Sequence, residues 1–454
     1  IDLSGEQIGE GQALVNALGL KNIWLRQMDI LDVSPALGQF DYIIAHGIYS
    51  WVPPAVQDKL FQICRENLSQ SGVAYISYNS YPGWNMLGTI RQMMLYHTRR
   101  ITDPKEKAAA ARTLLDFLST SISTGAGSHG SFLYVYVNYI KEFFLPKSDS
   151  FLLHDELAEI NNPVYFHEFA AQAARHGLKY LGDVQFNTML ASNFPAEVTN
   201  TLRGMVNNTI ELEQYLDFLR NRMFRQSLLC HQEITLQARL SPARLADFYF
   251  ASSALAESAA ADRAAVGPES FKTLDGAVLT TDHPVSKAAM HYLIEIWPRS
   301  ASFADLLAEA QRRVGVKDQA EDSQLLGANL LKAYGVSDNL VELHVFAPHL
   351  VVTASDRPQA SPLARLQAGR GSPITNLRHE RVTLDEVSRA LLPFLDGCHD
   401  RTALLELLLE RDMVEVARRN DGQPVGDRAE VRAALADFLE EKLDQLAMAA
   451  LLIG

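Results

Sequence analysis

Phe40-Asp41-Tyr42-Ile43-Ile44-Ala45-His46-Gly47 is an apolar run closed by a glycine, and it reads as a strand covered on both faces. Beyond it, Pro53 and Pro54 start a helix that turns Val56, Leu60, Ile63 and Leu68 inward. Gly72 then precedes a second strand, Val73-Ala74-Tyr75-Ile76-Ser77-Tyr78. In the other direction, Ser4-Gly5-Glu6-Gln7 has capping-box spacing, and Ile8, Val15 and Leu18 share one helical face that ends at Gly19. Ile1-Asp2-Leu3 and Ile23-Trp24-Leu25 read as short strands flanking that helix. Such alternation predicts an α/β domain built on a parallel sheet with crossover helices.

The alternation stops at 84–150, which reads as a helical insertion: Ile90–Arg100, Lys105–Leu118, a glycine-serine loop, then an aromatic stretch from Phe132 to Phe144. Exposed aromatics there could build a homodimer contact. It resumes with a helix opened by Pro163 and closed by Gly177, and a strand over Leu178–Phe186. A first domain therefore spans 1–190. Residues 191–266 read as a helical linker region, with Leu212–Cys230 its strongest helix and 251–266 a weak boundary. In 267–356, a strand at Phe271–Thr280, helices near 284–297, 302–314 and 322–334, and a strand pair around 339–353 suggest a winged-helix module. A second, C-terminal helical module spans 357–454, joined through the Pro/Gly/Arg-rich 357–374. Val285-Ser286-Lys287 before Phe303-Ala304-Asp305-Leu306-Leu307 is echoed by Val387-Ser388-Arg389 before Thr402-Ala403-Leu404-Leu405.

The chain's 454 residues suffice for about three domains at roughly 150 residues each. Its composition, 47% hydrophobic and 21% charged, is that of a globular protein. A net charge of −13 disfavours a nucleic-acid surface and favours a basic partner. Cys64, Cys230 and Cys398 form no CxxC pair and read as reduced, buried thiols rather than metal ligands. No apolar run is long enough for a membrane span and no signal peptide is visible, so a cytoplasmic location is expected.

The residues able to carry chemistry sit at strand ends. A carboxylate at Asp2 can accept both hydroxyls of a ribose, or it can be a surface acid capping the next helix. Asp29 can read an adenine amino group or be a solvated loop acid, and Asp32 reads as loop surface. After the 40–45 strand come His46, Gly47, Tyr49 and Trp51; after the 73–78 strand come Asn79, Tyr81, Pro82, Gly83 and Trp84. Ligands of open parallel sheets lie beyond these strand ends. The aromatic faces of both loops suit a sulfonium or alkylammonium group, and Asn79 could orient an amine; core packing is the alternative. Gly125-Ala126-Gly127-Ser128-His129-Gly130 fits GxGxxG but follows no clear buried strand, so it reads as a loop. No GxSxG, HExxH, P-loop or paired metal-ligand motif occurs. Arg220, Arg222 and Arg225, with Glu213 and Asp217 nearby, read as a solvated or interdomain salt-bridged helix face.

Ile1-Asp2-Leu3-Ser4, Phe40–Gly47 and Gly72–Asn79 resemble the second, fourth and fifth strands of a class I S-adenosylmethionine-dependent methyltransferase. Tyr81-Pro82-Gly83-Trp84, Pro163-Val164-Tyr165-Phe166-His167-Glu168-Phe169 and Tyr215–Arg225 resemble the bacterial subgroup that carries a methyltransferase regulatory domain. The resemblance implies a Rossmann-like sheet with a helical insertion, followed by mainly helical winged-helix-like modules. It implies S-adenosyl-L-methionine as cofactor and, since some relatives modify lysines, a protein lysine as methyl acceptor. Asp2 and Leu3 would hold the ribose, Asp29 and Ile30 the adenine, and Ala45 and His46 would border the methionine moiety. Tyr49, Trp51, Asn79 and Tyr81 are the candidates beside the reacting groups.

The family's glycine-rich first motif is missing here. The chain also lacks an initiator Met, so a trimmed chain without its first strand is expected, and one that could be inactive. The rival reading is a DNA-binding or scaffold protein that uses winged-helix modules beside a degenerate methyltransferase remnant. Asp322–Tyr334, the candidate recognition helix, carries Lys332 as its single cation, which argues against phosphate tracking.

Overall fold

A computed structural model describes residues 1–122, 127–144, 147–237, 240–257, 267–316, 320–410 and 428–454. It divides into two compact units, Ile1–Ala13 with Asn22–Gln237, and Leu14–Lys21 with Ala238–Gly454.

The first unit is organised by a four-stranded sheet in the order β1-β2-β4-β3, where β1 is Phe40–Ala45, β2 Leu68–Asn79, β3 Leu178–Asp183 and β4 Phe224–His231. β1 and β2 run parallel, with Ala45 opposite Ile76, and β2 therefore projects past the tip of β1. β4 is antiparallel to both β2 and β3. Alternate β2 residues Ala74, Ile76 and Tyr78 meet α2 (Pro54–Asn67) and α7 (Phe166–Arg175) through Tyr49, Phe61 and Phe169. Tyr78 stacks on Phe169 at 4.0 Å between ring centres.

The structure corrects several sequence-based expectations here. Leu212–Cys230 is not one helix: α9 (Thr209–Arg220) ends at Asn221, whose φ of 49° breaks it, and β4 follows. The strand is hard to see because Arg225 interrupts its apolar pattern. Leu68, expected on α2, opens β2. Ile23-Trp24-Leu25 forms no strand, and Ile1–Leu3 contributes one parallel bridge, Asp2 to Gln27. Nor is β1 covered on both faces, since Tyr42 is 74% and Ile44 71% exposed, and among the described residues its outer edge pairs with no strand.

The 84–150 insertion forms α3 (Trp84–Thr98), α4 (Pro104–Ser121) and α5 (Gly127–Phe144). Asp103 accepts from Glu106 N at 2.9 Å and Pro104 fills the first helical position, which together start α4. Gly127–Gly130, expected in a loop, belong to α5, while Gly125 and Ala126 lie outside the described residues. The three helices enclose Trp84, Leu87, Ile90, Met94, Leu115, Val137 and Ile140. A short helix α6 (Asp149–Phe151) runs into a π turn, Leu152–Glu156. α8 (Ala196–Met205) completes the unit's helices ahead of α9.

The second unit contains two hydrophobic cores. The first is built from β5 (Tyr249–Ala251), β6 (Leu255–Ala256), the hairpin β7 (Glu269–Lys272) and β8 (Val278–Thr281), α10 (Pro284–Ile296), β9 (Ala301–Ser302), α11 (Phe303–Val314), α12 (Ala320–Val336) and β10 (Glu342–His344). The strand pair expected at 339–353 is only β10, which pairs with β5. The second core combines α13 (Pro362–Gly369), the hairpin β11 (Ile374–Thr375) and β12 (Arg381–Val382), α14 (Glu386–Leu391), α15 (Arg401–Glu410) and α16 (Arg428–Met448). α13 occupies much of the stretch read as a linker, and residues 258–266 of the other linker lie outside the described residues. Both modules place a hairpin before a capped helix: His283 Nδ1 accepts from Ser286 N, and Asp385 Oδ1 from Ser388 N. Cys64 and Cys230 are buried but Cys398 is exposed, contrary to the expectation for all three.

Of the arginines read as a solvated or interdomain salt-bridged face, Arg222 and Arg225 are internal and ion-paired within the first unit. Arg225 is fully buried; it gives Nε to Asp217 and one Nη to Glu213, and its plane lies 3.9 Å over the Phe166 ring. Arg222 reaches Asp183 at 3.1 Å. Two cations thus serve three buried carboxylates, and α9 is locked onto β3 and β4. Replacing Arg225 with Met should cost about 3–5 kcal/mol by stranding those carboxylates, measured by urea denaturation. A loss below about 1 kcal/mol would mean the cluster relaxes to water.

Candidate functional site at the strand tips

Beyond β1 and β2 hydrogen bonds tie the chain alongside its apolar contacts. Gly47, at φ 67°, turns the backbone so that its N–H donates to Ser77 Oγ at 2.9 Å. Two residues later the Tyr49–Trp51 turn brings Ser50 over the end of β2. Ser50 Oγ accepts from Asn79 N at 2.8 Å, and Ser50 O accepts from Asn162 N at 2.7 Å. Asn79 Nδ2 donates to Asn161 Oδ1 at 3.0 Å, and Asn79 O accepts from Val164 N at 3.1 Å. Asn79 is therefore a node that fixes three segments. Next to it, Gly83 passes so close to β4 that a Cβ there would lie 2.2 Å from Asn221 O.

Against the open side of β1 lies a cavity of about 580 Å³, walled largely by apolar side chains. Asp2, Leu3, Asp29, Ile30 and Ala45 all line it, five positions from three separate stretches of sequence. Asp2 Oδ1 accepts from Ser4 N at 2.8 Å and Asp29 Oδ1 from Leu31 N at 2.9 Å. Each carboxylate is thus aimed by its own turn with Oδ1, which leaves Oδ2 for another donor. The backbone of Asp2 is held between Arg26 O and Met28 N, so the two acids approach one cavity from adjoining segments.

The other expected residues divide. His46 does not line the cavity; its Nδ1 pairs with Tyr75 Oη at 2.7 Å, and Gln226 Nε2 donates to the same hydroxyl at 3.0 Å. Tyr49 is no pocket wall. It is fully enclosed with Phe61, Tyr78 and Phe169, burial pushes its phenol upward, and its hydroxyl donates to Gln172. Trp51 is half-buried with its indole N–H unpartnered. Tyr81 is half-buried against Tyr165, ring centres 5.2 Å apart. Trp84 packs in the core of the insertion. Ser50, Asn161 and Tyr165 belong to this constellation and none was a candidate from sequence, because loop residues brought together by long-range contacts have no periodicity.

Comparison with known proteins places this geometry. A family model described as "predicted methyltransferase regulatory domain" matches residues 148–231, and one described as "PKMT, C-terminal winged helix domain" matches 356–451. The uncharacterized protein RP789 of Rickettsia prowazekii is 33% identical over 467 residues, covering 100% of this chain and 82% of the relative. PKMT2 from Rickettsia typhi superimposes with a TM-score of 0.86 at 29% identity, covering 100% of this chain and 88% of that one. Its complex with AdoHcy gives a TM-score of 0.84. The chain belongs to the class I methyltransferases of PKMT type. The 148–231 match takes in α7, β3, α8, α9 and β4, so the family's regulatory segment supplies two strands of the PKMT sheet rather than a separate module.

In this PKMT-type fold the insertion reaches the Asn79 node through the π turn. Asn161 Nδ2 donates to Asp155 O at 3.1 Å, and next to Asp155 is Glu156, a buried carboxylate whose Oε2 has no hydrogen-bond partner. Burial, with Asp155 adding to it, pushes Glu156 up to about 7 from an ordinary 4.5, while Arg91 pulls the other way. Since the folded value is raised, the stabilising contribution is complete below about 4.5 and is lost as pH rises through about 7. Glu156→Gln should flatten that decline, which is on the order of 3 kcal/mol, in stability curves taken at pH 5 and pH 8. Parallel curves for the two proteins would show that Glu156 is solvated.

Proposed function

We propose that the chain methylates a protein lysine with S-adenosylmethionine as donor. The observation that carries this is the convergence of Asp2, Asp29 and Ala45 on one apolar cavity along the open side of β1. The likeness to a PKMT2 structure solved with AdoHcy supports it. The cavity suits the donor: carboxylates at its rim offer Oδ2 of Asp2 to ribose hydroxyls and Asp29 to the adenine side, and Leu3 and Ile30 supply apolar contact. Ala45 borders the methionine end, while His46, turned to Tyr75, stands outside the cavity. S-adenosylmethionine, when bound, supplies a methyl already activated by its sulfonium charge.

What remains for the chain's own residues is to bring a neutral amine into line and keep water out. The lysine nitrogen forms the new N–C bond with its lone pair as the S–C bond breaks, and the amine proton departs to solvent. A lysine ordinarily holds its proton to about 10.4, so half-buried aromatic surface at Trp51 and Tyr81 favours the neutral form by desolvation. Asn79, with its amide committed to Asn161, positions the two loops, and Tyr49 braces them from the core. The net charge of −13 suits a basic acceptor protein. Paired copies would meet through α5, where Phe132, Val135 and Tyr139 are exposed on one face.

Calorimetric titration of AdoHcy into the full chain tests the assignment. Asp2→Ala should weaken binding at least about tenfold, the scale of a charge-assisted hydrogen bond, and Asp2→Asn should weaken it less. Equal affinities for the parent and Asp2→Ala would overturn the ribose role.

A further inference from the structure

Between α3 and the 161–163 segment lies a second cavity, about 330 Å³, lined by Tyr81, Trp84, Gly88, Arg91, Asn161 and Pro163 among others. Arg91 is the one charged side chain among the described residues that line it. The rest of that lining is neutral, and the chain as a whole is strongly acidic, so this cation is a local exception. Arg91 is 93% buried by its 7% exposure, it donates Nη2 to Ala158 O, and its buried Nε–H has no partner. Leaving a buried charged donor unsatisfied is costly, and a fold tolerates it best where a ligand completes the bond. Asn161 also lines the cavity and accepts from Asn79, so an occupant would sit one hydrogen bond away from the node at the strand tips.

We propose that this cavity is a recognition subsite for a carboxylate of the acceptor protein, an Asp or Glu side chain near the target lysine, held by Arg91. It deepens the lysine-methylation reading and rests on it for the identity of the ligand's carrier. A single guanidinium among neutral amides suits one carboxylate, whereas a phosphate or nucleic-acid backbone is met by several cations. The aromatic walls Tyr81 and Trp84 would cover the methylenes of a Glu.

The test uses short peptides with a central lysine flanked by Glu, and their Gln counterparts, titrated calorimetrically into the full chain. The Glu peptide should bind about tenfold tighter at pH 6. That preference should vanish in Arg91→Gln and in Gly88→Leu. The second variant guards against misfolding: a Cβ at Gly88 meets nothing within 4 Å, and Leu is the better helix former. Equal affinities at pH 6, or a preference that survives Gly88→Leu in a protein of unchanged Tm, would overturn the subsite. Methyl transfer to the same peptides separates the two readings. Carboxylate-selective binding without any lysine methylation supports the subsite and sinks the lysine chemistry; methylation without selectivity does the reverse.

Discussion

The strand-tip loops depend on Asn79. Its N–H, carbonyl and side-chain amide each hold a different piece of chain: Ser50, Val164 and Asn161. Buried polar groups on irregular backbone are tolerated only when each is satisfied, and that requirement fixes the geometry together with the packing of Tyr49 against Phe61, Tyr78 and Phe169. The register of β1 against β2 makes it possible. β2 extends beyond Ala45, so Asn79 stands where the turn after β1 folds back over it.

That node would wander without a rigid floor, and the floor is electrostatic as well as apolar. The stacked aromatics on one side of β2 hold α2 and α7, while Arg225 and Arg222 bind α9 to β3 and β4 through Asp183, Glu213 and Asp217. Burying five charges is weak support for stability in itself, but it tolerates few alternative arrangements. Gly83 then presses the loop after β2 onto Asn221 and Arg222 at a spacing no side chain permits. The ligand-facing loops, the insertion and the family's regulatory segment consequently share one frame.

Much of this was legible in the order of residues. The β1–α2–β2 unit announced itself through periodicity, proline starts and glycine turns. Asp2 and Asp29 were singled out by their places at strand ends, Leu3, Ile30 and Ala45 only by the family resemblance, and all five line one cavity. Tyr49 was misjudged since an aromatic beside a strand end looks the same whether it faces a ligand or, as here, a core of Phe61 and Phe169. β4 hid behind Arg225: a strand that carries a buried charge at an inward position loses the apolar alternation by which strands are recognised. Asn161, Glu156 and Arg91 left no trace, as buried polar pairing across a long insertion is a property of the folded chain alone. Two modules with separate cores in the second unit, by contrast, were visible in their repeated helix starts.

Hydrogen–deuterium exchange of the full chain with and without AdoHcy asks most directly whether the cavity beside β1 is where the donor binds. Protection should concentrate in residues 2–4, 28–31 and 45–49, with a weaker echo through Ser50 and Asn79 and none in 360–410. Exchange unchanged by saturating ligand, or protection confined to the winged-helix modules, would contradict it.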